Sequence, residues 1–131
     1  MSGVEYVNDP GLFPSPVSIS QAVAVGGFVV ASGQVPRRPD GSVPEGAEEQ
    51  VELALSNLKA VLAAGGCALD DLIMLRAYVT DTEMLKAWRE VRVPLLGQGR
   101  PAATTVVVVG LADERWRIEI EGVAWRAPGA S

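Results

Sequence analysis

Histidine is absent from all 131 residues, and the one cysteine, Cys67, therefore has no imidazole partner. Triads, imidazole bases and most zinc sites fall away at once. Any chemistry must rest on carboxylates, guanidinium groups, hydroxyls and backbone N–H groups. Two stretches concentrate these. In RWRIEIEGVAW (115–125), Glu119 and Glu121 alternate with isoleucines, so both carboxylates stand on one face of a strand. Such a carboxylate can orient water, or it can pair with Arg115, Arg117 or a neighbouring subunit. In RPAATTVVVV (100–109), Thr104 and Thr105 follow two alanines. Arg100 beside them, and Arg89 on a helix, could hold an anion through a guanidinium fork, or could stand in water as surface charges do. Cys67, in the turn sequence GGCALDD, reads as structural.

The elements that must position these groups follow from periodicity. AVAVGGFVVASG (22–33) is two strands around a Gly26-Gly27 turn, and VPRRPDGSVPEG (35–46) is a loop. Val51, Leu55, Leu58 and Leu62 form the stripe of a helix, with Pro44 expected in its first turn and Gly65-Gly66 ending it. LIMLRAYV (72–79) is a strand. Asp81 or Thr82 caps a second helix with Met84, Leu85, Trp88 and Val91 inward, and VPLLGQGR (93–100) is a loop. Trp88 and Trp116 are expected in the core. The first 16 residues, with Pro10, Pro14 and Pro16, read as an irregular arm of a single domain spanning 1–131.

This order gives an α+β fold, a mixed sheet with two helices on one face. The valine run is apolar on both its faces, so the sheet's second face needs a cover that a chain this short does not supply. A symmetric oligomer would provide it. A net charge of −5 with scattered arginines argues against a phosphate-binding surface and hence against nucleic acid. No apolar run is long enough to span a membrane, and a lone cysteine fits a reducing cytoplasm.

The segments VVASGQVP (29–36), QVELALSNLKAVLAAGG (50–66), YVTD (78–81), RPAATTV (100–106) and RIEIEGVA (117–124) together resemble the RidA/YjgF family. The resemblance covers about residues 17–125. It implies a chorismate-mutase-like fold, a homotrimer around a central barrel, and inter-subunit clefts that take small carboxylic or imino/keto-type metabolites. It also implies hydrolysis of 2-imino acids to 2-keto acids and ammonia without cofactor or metal. By the same resemblance, Ser32 and Gly33 match a carboxylate-binding Ser-Gly, Thr105 a ligand contact, and Glu119 the water-orienting carboxylate. Ile19 falls where the family has a tyrosine, and Arg89 where some members have a cleft asparagine. The family's Pro-Ala-Arg-Ser/Thr motif reads Pro101-Ala102-Ala103-Thr104 here, so Ala103 replaces the carboxylate-binding arginine. The expectation is therefore a cleft protein of the hydrolase or deaminase type with an altered substrate, or a non-catalytic metabolite-binding trimer. The standard 2-iminobutanoate and 2-iminopropanoate deaminase activity is not expected.

Overall fold

Alternation of apolar and polar residues along the strands builds a sheet with one buried and one open face. The computed structural model describes residues 3–96 and 100–129. In chain order the elements are β1 (Glu5–Val7), β2 (Ala22–Val25), β3 (Phe28–Gln34), α1 (Ala47–Ala64), a short 3-10 turn (Leu69–Asp71), β4 (Leu72–Val79), α2 (Thr82–Leu95), β5 (Ala102–Val107) and β6 (Ile118–Trp125). The six strands form one mixed sheet in the order β1-β2-β3-β6-β4-β5. Only the β4–β5 pair is parallel, and α2 makes its crossover. The hairpin between β2 and β3 turns on Gly26 and Gly27, both at positive φ (57° and 86°), the conformation a two-residue turn matched to strand twist requires.

The core lies between α1, α2 and one sheet face. Val51, Leu55, Leu58 and Leu62 of α1 and Met84 and Trp88 of α2 pack over Val29, Leu75, Ala77, Ile118, Ile120 and Ala124. Gln50 is buried among them and stitches three segments. Its amide donates to the carbonyls of Pro44 and Arg115 and accepts from the Arg117 N–H.

Several expectations are corrected. Pro44 lies outside α1, whose N-cap is Gly46; the carbonyl of Pro44 is held by Gln50 instead. The arm contains a strand, β1, which pairs antiparallel with β2 and extends the sheet. Helix α2 runs through Pro94, three residues into the stretch expected as loop, whose residues 97–99 lie outside the described residues. Proline in the last turn removes one hydrogen bond, to the carbonyl of Glu90, and Glu90 is solvent-exposed, so water can take its place. The last strand begins at Ile118, so Trp116 precedes it and lies outside the core. Asp81 does cap α2, accepting from the Met84 N–H at 2.9 Å.

The valine run proves to be the sheet's outer strand. Ala102, Ala103 and Thr104 are exposed, and Val107 is 58% exposed. Val25, Phe28, Val30, Ile73 and Trp125 are also exposed large apolar residues, Phe28 and Trp125 in contact with each other.

Candidate functional site

A cleft of about 520 Å³ opens where the arm, the end of β3, the loop after it, and the start of β6 converge. Its construction begins with an irregularity. β3 pairs with β6 up to Ala31 opposite Gly122, then resumes at Gln34 opposite Ile120, so Ser32 and Gly33 form a bulge. Bulges re-aim side chains and backbone next to sites. The bulge is tied to the incoming arm: the Ser32 N–H donates to the Gln21 carbonyl (2.8 Å) and its hydroxyl to the Ser20 carbonyl (2.6 Å). Gln21 in turn holds the arm, accepting from the Asp9 N–H at 2.7 Å.

Gly33 owes its identity to close approach. A Cβ at this position would collide with the Glu119 carboxylate, which leans over the bulge from the neighbouring strand. Glu119 makes no hydrogen bond or ion pair among the described residues. Burial, and secondarily the charge of Glu121, raises its pKa above the ordinary carboxylate range. Glu121, two residues along the same face, differs in kind. It accepts from the Tyr78 hydroxyl at 2.6 Å and pairs with Arg76 at 3.0 Å. The arginines that could have neutralised Glu119 are engaged elsewhere: Arg115 forks onto Asp113, and Arg117 binds Asp81 and Glu83. Asp113 is held well down, at about 2, chiefly by its hydrogen bonds from Arg115.

The opposite wall carries residues that sequence reasoning missed. Asn57 of α1 donates to the carbonyls of Val35 and Arg37 (2.9 and 3.1 Å), fixing the loop on both sides of the Arg37 side chain. The Arg37 guanidinium lies over the Phe13 ring, 3.7 Å from its centroid, and 5.1 Å from the Trp116 ring centroid. Two adjacent arginines between prolines, directly after the SGQ segment, were the available signal for Arg37. No pattern in the sequence shows that Phe13 and Trp116 come to meet it.

Of the expected site residues, Ser32, Gly33, Ile19 and Glu119 line this one cleft. Ala103, Thr104 and Thr105 do not. They lie on β5, and β6 and β4 separate that strand from β3, roughly 14 Å away at ordinary strand spacing. By register, Ala103 and Thr105 share a face with Leu75 and Ala77, and Thr104 lies beside Arg76. Thr105 accepts a hydrogen bond from the Trp88 indole at 3.1 Å. Arg89 is exposed on α2, and Arg100 is exposed before β5; neither lines the cleft. Cys67 is buried, and desolvation raises its thiol pKa, as suits a packing residue. Among the described residues no cluster of cysteines and carboxylates is arranged to hold a metal, and no helix is long and apolar enough to cross a membrane.

The family profile described as Endoribonuclease L-PSP matches residues 14–126. This chain belongs to that family, the RidA/YjgF proteins. Among its relatives is a RutC family protein of Pyrococcus abyssi, 32% identical over 116 residues, covering 86% of this chain and 91% of the relative. The mitochondrial protein mmf2 of Schizosaccharomyces pombe is 35% identical over 107 residues, covering 80% and 85%. TdcF of Escherichia coli, named "Putative reactive intermediate deaminase", is 31% identical over 111 residues, covering 82% and 85%. The crystal structure of E. coli TdcF with bound serine superposes on this RidA/YjgF chain with a TM-score of 0.88 at 28% identity, covering 94% of this chain and 99% of the other.

Proposed function

We propose that the chain is a hydrolase of the deaminase type acting on a small imine in this cleft, with Glu119 as the group that orients and deprotonates water. The observation that carries the reading is the state of Glu119: half-buried, without a partner, raised in pKa, and seated over a residue with no side chain. Its carboxylate takes a proton as water oxygen bonds to the imine carbon. That proton passes to nitrogen, giving the carbinolamine. Glu119 then takes the proton of the new hydroxyl and delivers it to nitrogen as the C–N bond breaks, so that ketone and ammonia leave and the carboxylate is restored. No oxidant or reductant is needed. The kinship with TdcF supports this class of reaction.

The working unit in this reading is a homotrimer. The uncovered apolar sheet face supports it. Assembly would bring Ala103, Thr104 and Thr105 of one subunit to the cleft of another. Light scattering of the purified protein should give a trimer, and a monomer would remove the β5 residues from the site. The substrate differs from the family's standard acids, because Ala103 leaves no guanidinium on β5 to hold a carboxylate there. That same substitution favours the second reading, a non-catalytic trimer that binds a metabolite.

The test generates a panel of 2-imino acids in situ with an amino-acid oxidase and measures the acceleration of ammonia release. We expect little effect on 2-iminopropanoate and 2-iminobutanoate, a larger one on at least one bulkier imine, and its loss in Glu119→Gln. Binding of the corresponding keto acids with no acceleration across the panel would favour the second reading.

A further inference from the structure

The Arg37 guanidinium has aromatic neighbours but no ion-pair partner among the described residues. Its Nε is buried and has no hydrogen-bond partner, and the indole Nε1 of Trp116, on the same cleft wall, is also buried without an acceptor. The terminal nitrogens of Arg37 make no hydrogen bond or ion pair among the described residues. The carboxylate whose field reaches it, Asp113, is already occupied by the Arg115 fork. Folded proteins rarely leave buried donors unanswered, and a donor the chain does not satisfy is met by water or by a ligand that displaces it. The Arg37 guanidinium carbon lies 3.7 Å from the Phe13 ring centroid, and the ring face gives its N–H groups no oxygen acceptor, so a carboxylate entering the cleft can bind two of them at once. Asn57 fixes the backbone on either side, so the fork is held in place before any ligand arrives.

We propose that Arg37 is the anion-binding residue of this cleft, holding the carboxylate of the ligand on the wall formed by Phe13 and Trp116. The inference rests on the reading of the cleft as a small-acid site and adds the residue that gives it charge selectivity. Arg37 and Glu119 line the same cleft of one chain, so the acid end of the ligand lies against the arm rather than against a neighbouring β5. An acid bound this way is turned relative to one held by an arginine at position 103. That accounts for a family member that has lost the β5 arginine and yet keeps its carboxylate base.

The experiment compares binding of a bulkier keto acid, 4-methyl-2-oxopentanoate, and its uncharged amide, 4-methyl-2-oxopentanamide, by calorimetry. The native chain should prefer the acid. Arg37→Met should weaken the acid about 10- to 100-fold and leave the amide unchanged. Arg37→Lys keeps the positive charge without the fork and should lose less; it also carries the test if the methionine variant fails to fold. Lys59→Ala, at an exposed cation of α1 that does not line the cleft, should bind as the native chain does. Equal weakening of acid and amide would reduce Arg37 to a packing residue and overturn the proposal. Undiminished acid binding in Arg37→Met, with imine turnover still dependent on Glu119, would overturn it while the cleft reading stands. A native chain that binds neither compound would overturn it, and the cleft reading falls with it only if no imine of the panel is turned over in a way that depends on Glu119.

Discussion

The cleft and the outer strand β5 hold the two halves of the site the sequence suggests, and they treat polar groups in opposite ways. On β5, the Thr105 hydroxyl is committed to the buried Trp88 indole. In the cleft, Glu119 and the end of Arg37 have no hydrogen-bond or ion-pair partner among the described residues. The same contrast recurs within one strand face, where Glu121 is tied to Tyr78 and Arg76 and Glu119 is left alone. A polar group with its bonds satisfied stabilises the fold; one held unsatisfied in a half-buried place is available to a ligand.

The sharpest way to break that contrast is to remove the two carboxylates in turn. Glu119→Gln should lower imine turnover at least about 100-fold, the range lost with a positioned base. Glu121→Gln should change it less than about tenfold, since that side chain is already bonded to the protein. Equal effects in steady-state assays would erase the distinction between them.

On the β5 side the expected damage is to stability. Thr105→Val leaves the Trp88 indole, in a residue only 1% exposed, without an acceptor and should cost about 1–3 kcal/mol in denaturant unfolding. Thr105→Ser should recover most of it. At the start of α2, Asp81→Ala should cost about 1 kcal/mol through loss of the cap, with a further contribution from the Arg117 pair.

The smallest effect sharpens the contrast from the other direction. The Glu119 pKa is raised on folding, first by burial and then by Glu121, so the ionised group opposes folding. That opposition is absent below the ordinary carboxylate range and complete once pH exceeds the raised value. Glu119→Gln should therefore increase Tm by a few degrees at most at pH 7 and leave it unchanged near about pH 3. Turnover by the native chain should fall as pH drops through the same raised value, because the base is then protonated.

Much of this was legible in the sequence, for reasons particular residues make plain. The α1 stripe and the strict alternation of β6 are periodic signals, and both elements lie where those signals put them. Asp81 announces α2 by a local hydrogen bond. β1 was not legible because three residues carry no period, and its pairing depends on β2 being in place. Trp116 was assigned to the core because its parity continues that of Ile118 and Ile120; the strand starts two residues later, and the parity lapses. Ser32, Gly33, Ile19 and Glu119 were placed by resemblance, and they share one cleft. Arg37 escaped because its importance lies in tertiary contacts with Phe13 and Trp116, which are distant in the chain.

The glycine beneath Glu119 has a consequence for how such a site can change by descent. The carboxylate occupies the volume that a side chain at position 33 would claim, so the two positions are not free to vary separately. A side chain gained at 33 would turn the flexible Glu119 carboxylate away from the bulge, and under the proposed reaction that moves the base from its place. A lineage that gives up the glutamate releases the glycine. If the proposed reaction is right, positions 33 and 119 should therefore tend to be kept or abandoned together.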